Sequence, residues 1–327
     1  MVTARAWCRV DLAGGTLDIW PLGLFHPGAR TVNVAIDLAT TVRLRRSGGP
    51  YRIRQGESLV EARSAAELAA HPEGALVGVI AEALDLPPVE VELASDSPRG
   101  GGLGASSAMA VALIAAAEEE LDLRRSTPAE KAHLARDLEA RLMGLPTGIQ
   151  DHYPALLGGA LEILAKPGGE AVRRLNTDLD RLGDSLLVVY SGVSHFSAGN
   201  NWQVVRRRLE NDPEITELFA GIAAVAAEIP AALESGDFQR AGELMGREWS
   251  FRRRLAKGVS TPELERLIEA ALSRGAWGGK ACGAGGGGCL AFLGPPEARV
   301  EIASALAEAG GTVLPTRPVG DPLSICA

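Results

Sequence analysis

The stretch best suited to chemistry is Pro98-Arg99-Gly100-Gly101-Gly102-Leu103-Gly104-Ala105-Ser106-Ser107. Its four glycines free the backbone to turn tightly and let N–H groups approach an anion without interference from a Cβ. A helix beginning at Ala105 would add the positive end of its dipole, and Ser106 and Ser107 would add hydroxyls. These are the requirements of a phosphate cradle, although a flexible turn before a capped helix has a similar composition. No Lys-Ser or Lys-Thr pair closes the turn, so it is not a Walker A loop. Gly100, Gly102 and Ala105 do satisfy G-x-G-x-x-(G/A). A dinucleotide site would also need a strand after the helix, and none is evident before Thr127, since Asp122 ends the helix.

Other residues offer further chemistry. Seven glycines fall between Gly278 and Gly288, a loop that either faces a ligand or packs closely against a strand. Lys280, near its start, is a candidate phosphate neighbour. Asp18 follows the turn Gly14-Gly15-Thr16; its carboxylate could accept hydrogen bonds from hydroxyl groups or cap its own turn. Glu139 borders the apolar face of a helix, so it is either solvated or turned inward to hold a cation. Asp151 reads as a helix-start carboxylate or a functional one. Cys8, Cys282, Cys289 and Cys326 form no CxxC pair, and the five histidines are scattered, so a zinc site is not expected and buried free thiols are. His195, in a loop after a buried strand, has no assigned role.

The elements that must position these groups follow from periodicity. Ala6, Cys8, Val10 and Leu12 alternate with Arg5, Trp7, Arg9 and Asp11, which predicts a strand carrying Arg9 and Asp11 on one face. Even-numbered apolar positions from Thr31 to Arg45 predict one long strand or a hairpin. Further strands are expected at Val89–Leu93, Ala160–Leu164, Leu186–Tyr190 and Cys289–Leu293. An alanine-rich helix should run from the cradle to Leu121. Thr127-Pro128-Ala129-Glu130 carries a cap, a first-position proline and a capping-box glutamate, so a helix starts there. The second half reads as helical from about Asn201 to Leu209 and from Pro213 to Ala256, broken near Ser235-Gly236. Another capped helix is expected from Ser260-Thr261-Pro262-Glu263 to Arg274. Strands and helices mix without a regular βαβ rhythm, which predicts an α+β fold of two domains, residues 1–167 and 168–327.

Composition narrows the function class. The chain has 327 residues, 39 of them glycine, and a net charge of −8. That charge argues against a nucleic-acid polymer as partner, while a small anion held by local groups is still compatible. No signal-peptide pattern opens the sequence, and the longest apolar runs, Ala108–Ala117 and Leu218–Ala227, fall short of the roughly 20 residues a bilayer crossing needs. A cytoplasmic location without a membrane partner is expected.

Three segments, in order, resemble the motifs of the GHMP kinases: Arg9-Val-Asp-Leu-Ala-Gly-Gly-Thr-Leu-Asp18, Pro98–Ala108 and Lys280–Cys289. The first is most similar to heptose 7-phosphate kinases and fucose kinases, but has Thr16-Leu17 where those usually carry Gly-Thr or Trp-Thr. The resemblance implies a ribosomal protein S5 domain 2-like N-terminal domain and a ferredoxin-like C-terminal one, with the active site between them. It implies that Pro98, Gly100, Gly101, Gly102, Leu103, Gly104, Ala105, Ser106 and Ser107 bind ATP. It makes Asp151 the catalytic carboxylate and Arg9 its partner beside the transferring phosphoryl group. Glu139 and Ser106, with Ser107 as the second choice, would hold Mg2+. Gly15, Thr16 and Asp18, with Gly285 and Gly286, would face the acceptor, a sugar or sugar phosphate. The expected reaction is transfer of the γ-phosphoryl group of ATP to a sugar hydroxyl, favouring the anomeric hydroxyl of a heptose 7-phosphate. Galactokinase-like or mevalonate-kinase-like substrates, and a silent ATP- and sugar-binding sensor, are the alternatives.

Overall fold

A computed structural model describes residues 1–194 and 198–326. His195 lies outside the described residues. Twelve strands among them are, in chain order, β1 (Val2–Ala13), β2 (Arg30–Arg46), β3 (Tyr51–Gln55), β4 (Ser58–Ala62), β5 (Val89–Ser95), β6 (Ala160–Lys166), β7 (Gly169–Arg174), β8 (Leu186–Tyr190), β9 (Gly278–Ala281), β10 (Cys289–Leu293), β11 (Thr312–Leu314) and β12 (Ser324–Cys326). They form an eight-stranded sheet, β12-β1-β2-β5-β3-β4 with β6 on β2 and β7 on β6, and a four-stranded sheet, β11-β8-β10-β9.

The alternation from Thr31 to Arg45 resolves as one strand of 17 residues rather than a hairpin. β2 is long enough to pair β6 through Arg30–Val34 and β5 through Thr40–Arg46, with β1 along its other edge. β1 departs from simple alternation, because both faces are covered from Ala6 to Ala13. Arg9 and Asp11 are therefore buried, not set on a solvated face.

The helix Ala105–Glu120 begins at the cradle and is buried through nearly its whole length between the sheet and the helix Pro128–Met143. Its alanines allow that close approach, and its apolar residues surround it on all sides, as a central helix requires. The predicted capping box at Thr127 and Glu130 is formed. One helix, Pro213–Glu234, is long and apolar enough to cross a membrane by length and composition. Here its apolar residues pack against β1, β2 and the helix Phe238–Arg252. The two halves share core: Val10, Leu12 and Val34 of the first sheet touch the same cluster as Val225, Leu244 and Ala291.

The division at 167/168 cuts between the two strands of the β6–β7 hairpin, and β12 returns to pair with β1. The sheet of the first half therefore takes in strands from beyond residue 168. Gly278–Ala281, read as part of a glycine loop, is strand β9. Its glycines answer to packing: a Cβ at Gly278 would overlap the carbonyl of Gly242, and one at Gly279 the ring of Phe292.

Candidate active site

Arg9 is the centre of the arrangement, 3% exposed on β1. Its Nε donates to Asp151 Oδ1 at 2.8 Å and its second terminal nitrogen lies 2.6 Å from the same oxygen. The remaining nitrogen donates to the carbonyls of Gly102, at 2.7 Å, and Cys282, at 3.1 Å. One guanidinium thus ties together the cradle, the second glycine loop and the carboxylate at the start of the helix His152–Leu157. The loops cross at Gly102 and Gly283, where a Cβ on Gly283 would sit 3.1 Å from the Gly102 Cα. Burial alone would lower the Arg9 pKa, but the charges of Asp151 and Asp11 outweigh it and raise it, so the cation is held firmly.

Glu139, also buried, turns inward from the helix Pro128–Met143. Its Oε1 accepts from the Ser106 hydroxyl at 2.8 Å and its Oε2 from the Ser107 hydroxyl at 2.7 Å. His152 Nε2 is 2.8 Å from Oε2. Burial pushes the Glu139 pKa up, but the hydrogen bond and charge of His152, with both serines, hold it below the usual carboxylate range. The same pairing raises the His152 pKa against its own burial. A buried anionic carboxylate flanked by two hydroxyls is a hard-oxygen donor set. It suits Mg2+, which keeps several waters and takes further oxygens from phosphate groups. Among the described residues no group of three or more His, Cys, Asp or Glu could hold a metal ion, so water and phosphate oxygens would supply the rest of the shell.

Asp18 faces the same cavity from the other side. Its Oδ2 accepts from the Gln150 backbone N–H at 2.9 Å, and a Cβ at Gly148 would overlap its carboxylate. Burial, with the charge of Asp151 as a lesser cause, pushes its pKa up to about 6. Asp18 Oδ1 and Gln150 Oε1 are buried acceptors without a hydrogen-bond partner.

The cavity enclosed by these groups has a volume of about 390 Å³, and Arg9, Ser106, Glu139, Asp151, Asp18 and Gly283 are among its walls. Thr16, Gly102, Gly104 and Ser107 also line it. Pro98, Gly100, Gly101, Leu103 and Ala105 are not among its walls; Leu103 accepts from the Arg9 backbone N–H and Gly101 from that of Cys289, while Gly100 is exposed. Gly285 and Gly286 do not line this cavity. Gly286 donates to the Val259 carbonyl, a Cβ on Gly285 would overlap that same atom, and the loop's contribution to the walls is Gly283 and Ala284. Gly15 is buried against Asp11 and Gln150 and supports the loop from beneath.

Lys280 is not a phosphate neighbour. It is fully buried, its Nζ 2.6 Å from Asp11 Oδ2 and 3.8 Å from Glu248 Oε1. Glu248 in turn pairs with Arg252 at 2.5 Å. No local pattern in the sequence marks this four-charge cluster or His152. Burial pushes the Cys8 and Cys282 thiols up to about 12, which makes them inert packing groups. Cys326, expected to be buried, is exposed on β12.

A second cavity of about 370 Å³ lies across Asp18 and Ile19, which border both. Leu17, Leu24 and Ile163 give it apolar walls, and Arg30, Arg136 and Lys166 give it cations.

Comparison with known proteins shows the family to which the chain belongs. Residues 70–159 match the model for the GHMP kinases N terminal domain, and residues 229–312 that for GHMP kinases C terminal. The chain is 36% identical over 259 residues to the mevalonate kinase of Pyrococcus abyssi, covering 77% of this chain and 73% of that one. It is 28% identical over 227 residues to the D-glycero-alpha-D-manno-heptose 7-phosphate kinase of Campylobacter jejuni, covering 67% and 65%. The crystal structure of a D-glycero-D-manno-heptose 1-phosphate kinase from Bacteriodes thetaiotaomicron superposes with a TM-score of 0.80 at 23% identity, covering 100% of this chain and 99% of that one. The last likeness concerns the fold.

Proposed function

Because the chain belongs to the GHMP kinase family, whose members are ATP-dependent kinases, we propose that it transfers the γ-phosphoryl group of ATP to a hydroxyl of a small polar acceptor. The observation that carries this reading is the Arg9–Asp151 pair, fixed between two glycine loops at the wall of one cavity.

The cradle and the N-terminus of the helix Ala105–Glu120 receive the phosphates of ATP, with backbone N–H groups and the helix dipole set against their charge. Ser106 and Glu139 would hold Mg2+, and Ser107 and His152 fix the orientation of Glu139. When bound, the ion neutralises charge on the phosphate oxygens. Asp151 orients the acceptor hydroxyl and takes its proton as the oxygen bonds to the γ-phosphorus and the bond to the leaving ADP oxygen breaks. Arg9 offsets the negative charge of both Asp151 and the transferring group. Its backbone-carbonyl contacts set its position before ATP arrives, so little reorganisation accompanies the reaction.

For the acceptor, we favour a sugar, and within sugars a heptose phosphate. Asp18 Oδ1 and Gln150 Oε1 are unpartnered acceptors, and two neighbouring hydroxyls would satisfy them. The second cavity, across Asp18, offers Lys166 to an anionic end, with Arg30 and Arg136 nearby but paired with Glu162 and Asp137, and Glu170 on the same wall. The competing acceptor is mevalonate, favoured by the higher identity to the archaeal mevalonate kinase than to the heptose kinase. A cytoplasmic enzyme fits either. The discriminating assay compares kcat/KM for heptose 7-phosphate, the unphosphorylated heptose, galactose and mevalonate, by ADP release with Mg-ATP. The sugar-phosphate reading predicts the highest value for heptose 7-phosphate; a preference for mevalonate overturns it.

A further inference from the structure

Four charged groups, Asp11, Lys280, Glu248 and Arg252, lie together at the junction of the two halves, each no more than 2% exposed. Two are cations and two are anions, so the cluster is neutral. Burying such groups costs desolvation free energy that their mutual attraction only partly returns, so stability alone is a weak account of their presence. Arg252, at the last turn of the helix Phe238–Arg252, has a second set of contacts. One terminal nitrogen donates to the Gly15 carbonyl at 2.6 Å, and the other to the Thr16 hydroxyl at 3.1 Å. Glu248 Oε1 accepts from the Gly14 backbone N–H at 3.3 Å. The helix of the second half therefore grips three consecutive residues of the loop that leads to Asp18 in the first half.

That loop needs a grip. Thr16 has φ of +76°, a conformation that a β-branched side chain rarely adopts. Two overlapping local turns include it, Leu17 N–H to the Gly14 carbonyl and Ile19 N–H to the Thr16 carbonyl. Thr16 and Asp18 line the cavity, and the Arg252 guanidinium lies at the cavity wall beneath them. The hydrogen-bond partners of Arg9, Ser106, Ser107 and Glu139 all lie outside this four-charge cluster, which reaches the ATP side through the charge of Asp11 on Arg9.

We propose that Arg252, oriented by Glu248, is a positioning residue for the acceptor: it fixes the Gly14–Thr16 loop in the strained conformation that presents Asp18, and so sets acceptor affinity without acting on ATP. This rests on the acceptor binding at Asp18. The guanidinium matters for its fork, which reaches a carbonyl and a hydroxyl together while facing a carboxylate. Lysine would keep the charge opposite Glu248 but cannot make that pair of contacts.

The test uses the full chain with Arg252→Lys, and with Thr16→Val as a second variant that removes the hydroxyl partner and leaves all four charges in place. Heptose 7-phosphate is the probe for acceptor KM. Expected for Arg252→Lys are an acceptor KM raised about 10-fold or more, the loss typical of a hydrogen bond to a charged group, and an ATP KM within about two-fold of the parent. Amide hydrogen exchange at Leu17 and Ile19 should quicken in the absence of any ligand. Thr16→Val should move the same quantities in the same direction, by less. Unchanged exchange at Leu17 and Ile19 in both variants overturns the proposal, as does a parallel rise in ATP KM and acceptor KM, which a merely structural role would give. If the parent protein leaves heptose 7-phosphate untouched, the sugar-phosphate reading fails, while the exchange measurement still judges Arg252.

Discussion

Replacing Asp18 by asparagine should stabilise the protein, and the gain should grow with pH. The Asp18 pKa is pushed by burial from the ordinary 3.8 to about 6. Between those values the native state keeps a proton that the unfolded chain has released, so this group makes stability fall as pH rises through the window. A difference of about two in pKa is worth roughly 3 kcal/mol once both states are ionised. About half of that, roughly 1.5 kcal/mol, develops between pH 5 and pH 7.5. Asparagine keeps an oxygen to accept from the Gln150 N–H and carries no charge. Any cost of its amide group at the position of the unpartnered Oδ1 is independent of pH. Urea unfolding of parent and Asp18→Asn at the two pH values is the assay. The stability difference should shift toward the variant by about 1.5 kcal/mol from pH 5 to pH 7.5, with equal m-values. A difference that stays constant with pH would mean that the penalty at this position is not the buried charge.

Asp151→Asn should bind ATP with little change yet lose roughly 10²–10⁴-fold in kcat, the range for a general acid–base group; turnover near that of the parent removes Asp151 from the proton transfer. Glu139→Gln should raise the Mg2+ concentration needed for half-maximal activity, since His152, Ser106 and Ser107 would then surround a neutral group, and an unchanged titration rejects Glu139 as a ligand. Lys280→Met should cost about 3–5 kcal/mol in chemical denaturation, because it leaves Asp11 charged and unpaired in the interior; a loss below 1 kcal/mol would mean that solvent reaches the cluster.

Local patterns made much of this fold legible. The capped helix at Thr127, the cradle and the long strand β2 each carry their signal within a dozen or so residues of sequence. The hairpin β3–β4 alternates, but over only five residues a strand, and strands β7, β11 and β12 are short and largely exposed, so none carries a strong local signal. The return of β12 to β1 depends on pairing residues more than 300 positions apart, such as Thr3 with Cys326. The site divides in the same way. Ser106, Glu139 and Asp151 stand out through their neighbours in sequence, and the fold brings them to one cavity. His152 adjoins Asp151 but shows its role only when the helix turn aims its ring at Glu139. Arg252, Glu248 and Lys280 give no local signal, because a buried charge looks like a surface charge until its partner, over 200 residues away for Gly15 and Asp11, is in place. The glycines of β9 misled for a related reason: close packing of a helix on a strand needs the same residue as a phosphate loop does.

In the proposed reaction the cavity between Arg9, Asp151 and Asp18 moves a phosphoryl group from ATP to an acceptor hydroxyl. The most direct measurement follows the label from ATP carrying a radioactive γ-phosphate, with Mg2+ and heptose 7-phosphate, galactose or mevalonate, in the parent protein and in Asp151→Asn. Label should appear in one acceptor as a new phosphate ester, at a rate that collapses in the variant. Label that stays in ATP with every acceptor, or reaches an acceptor equally fast in the variant, contradicts that reaction.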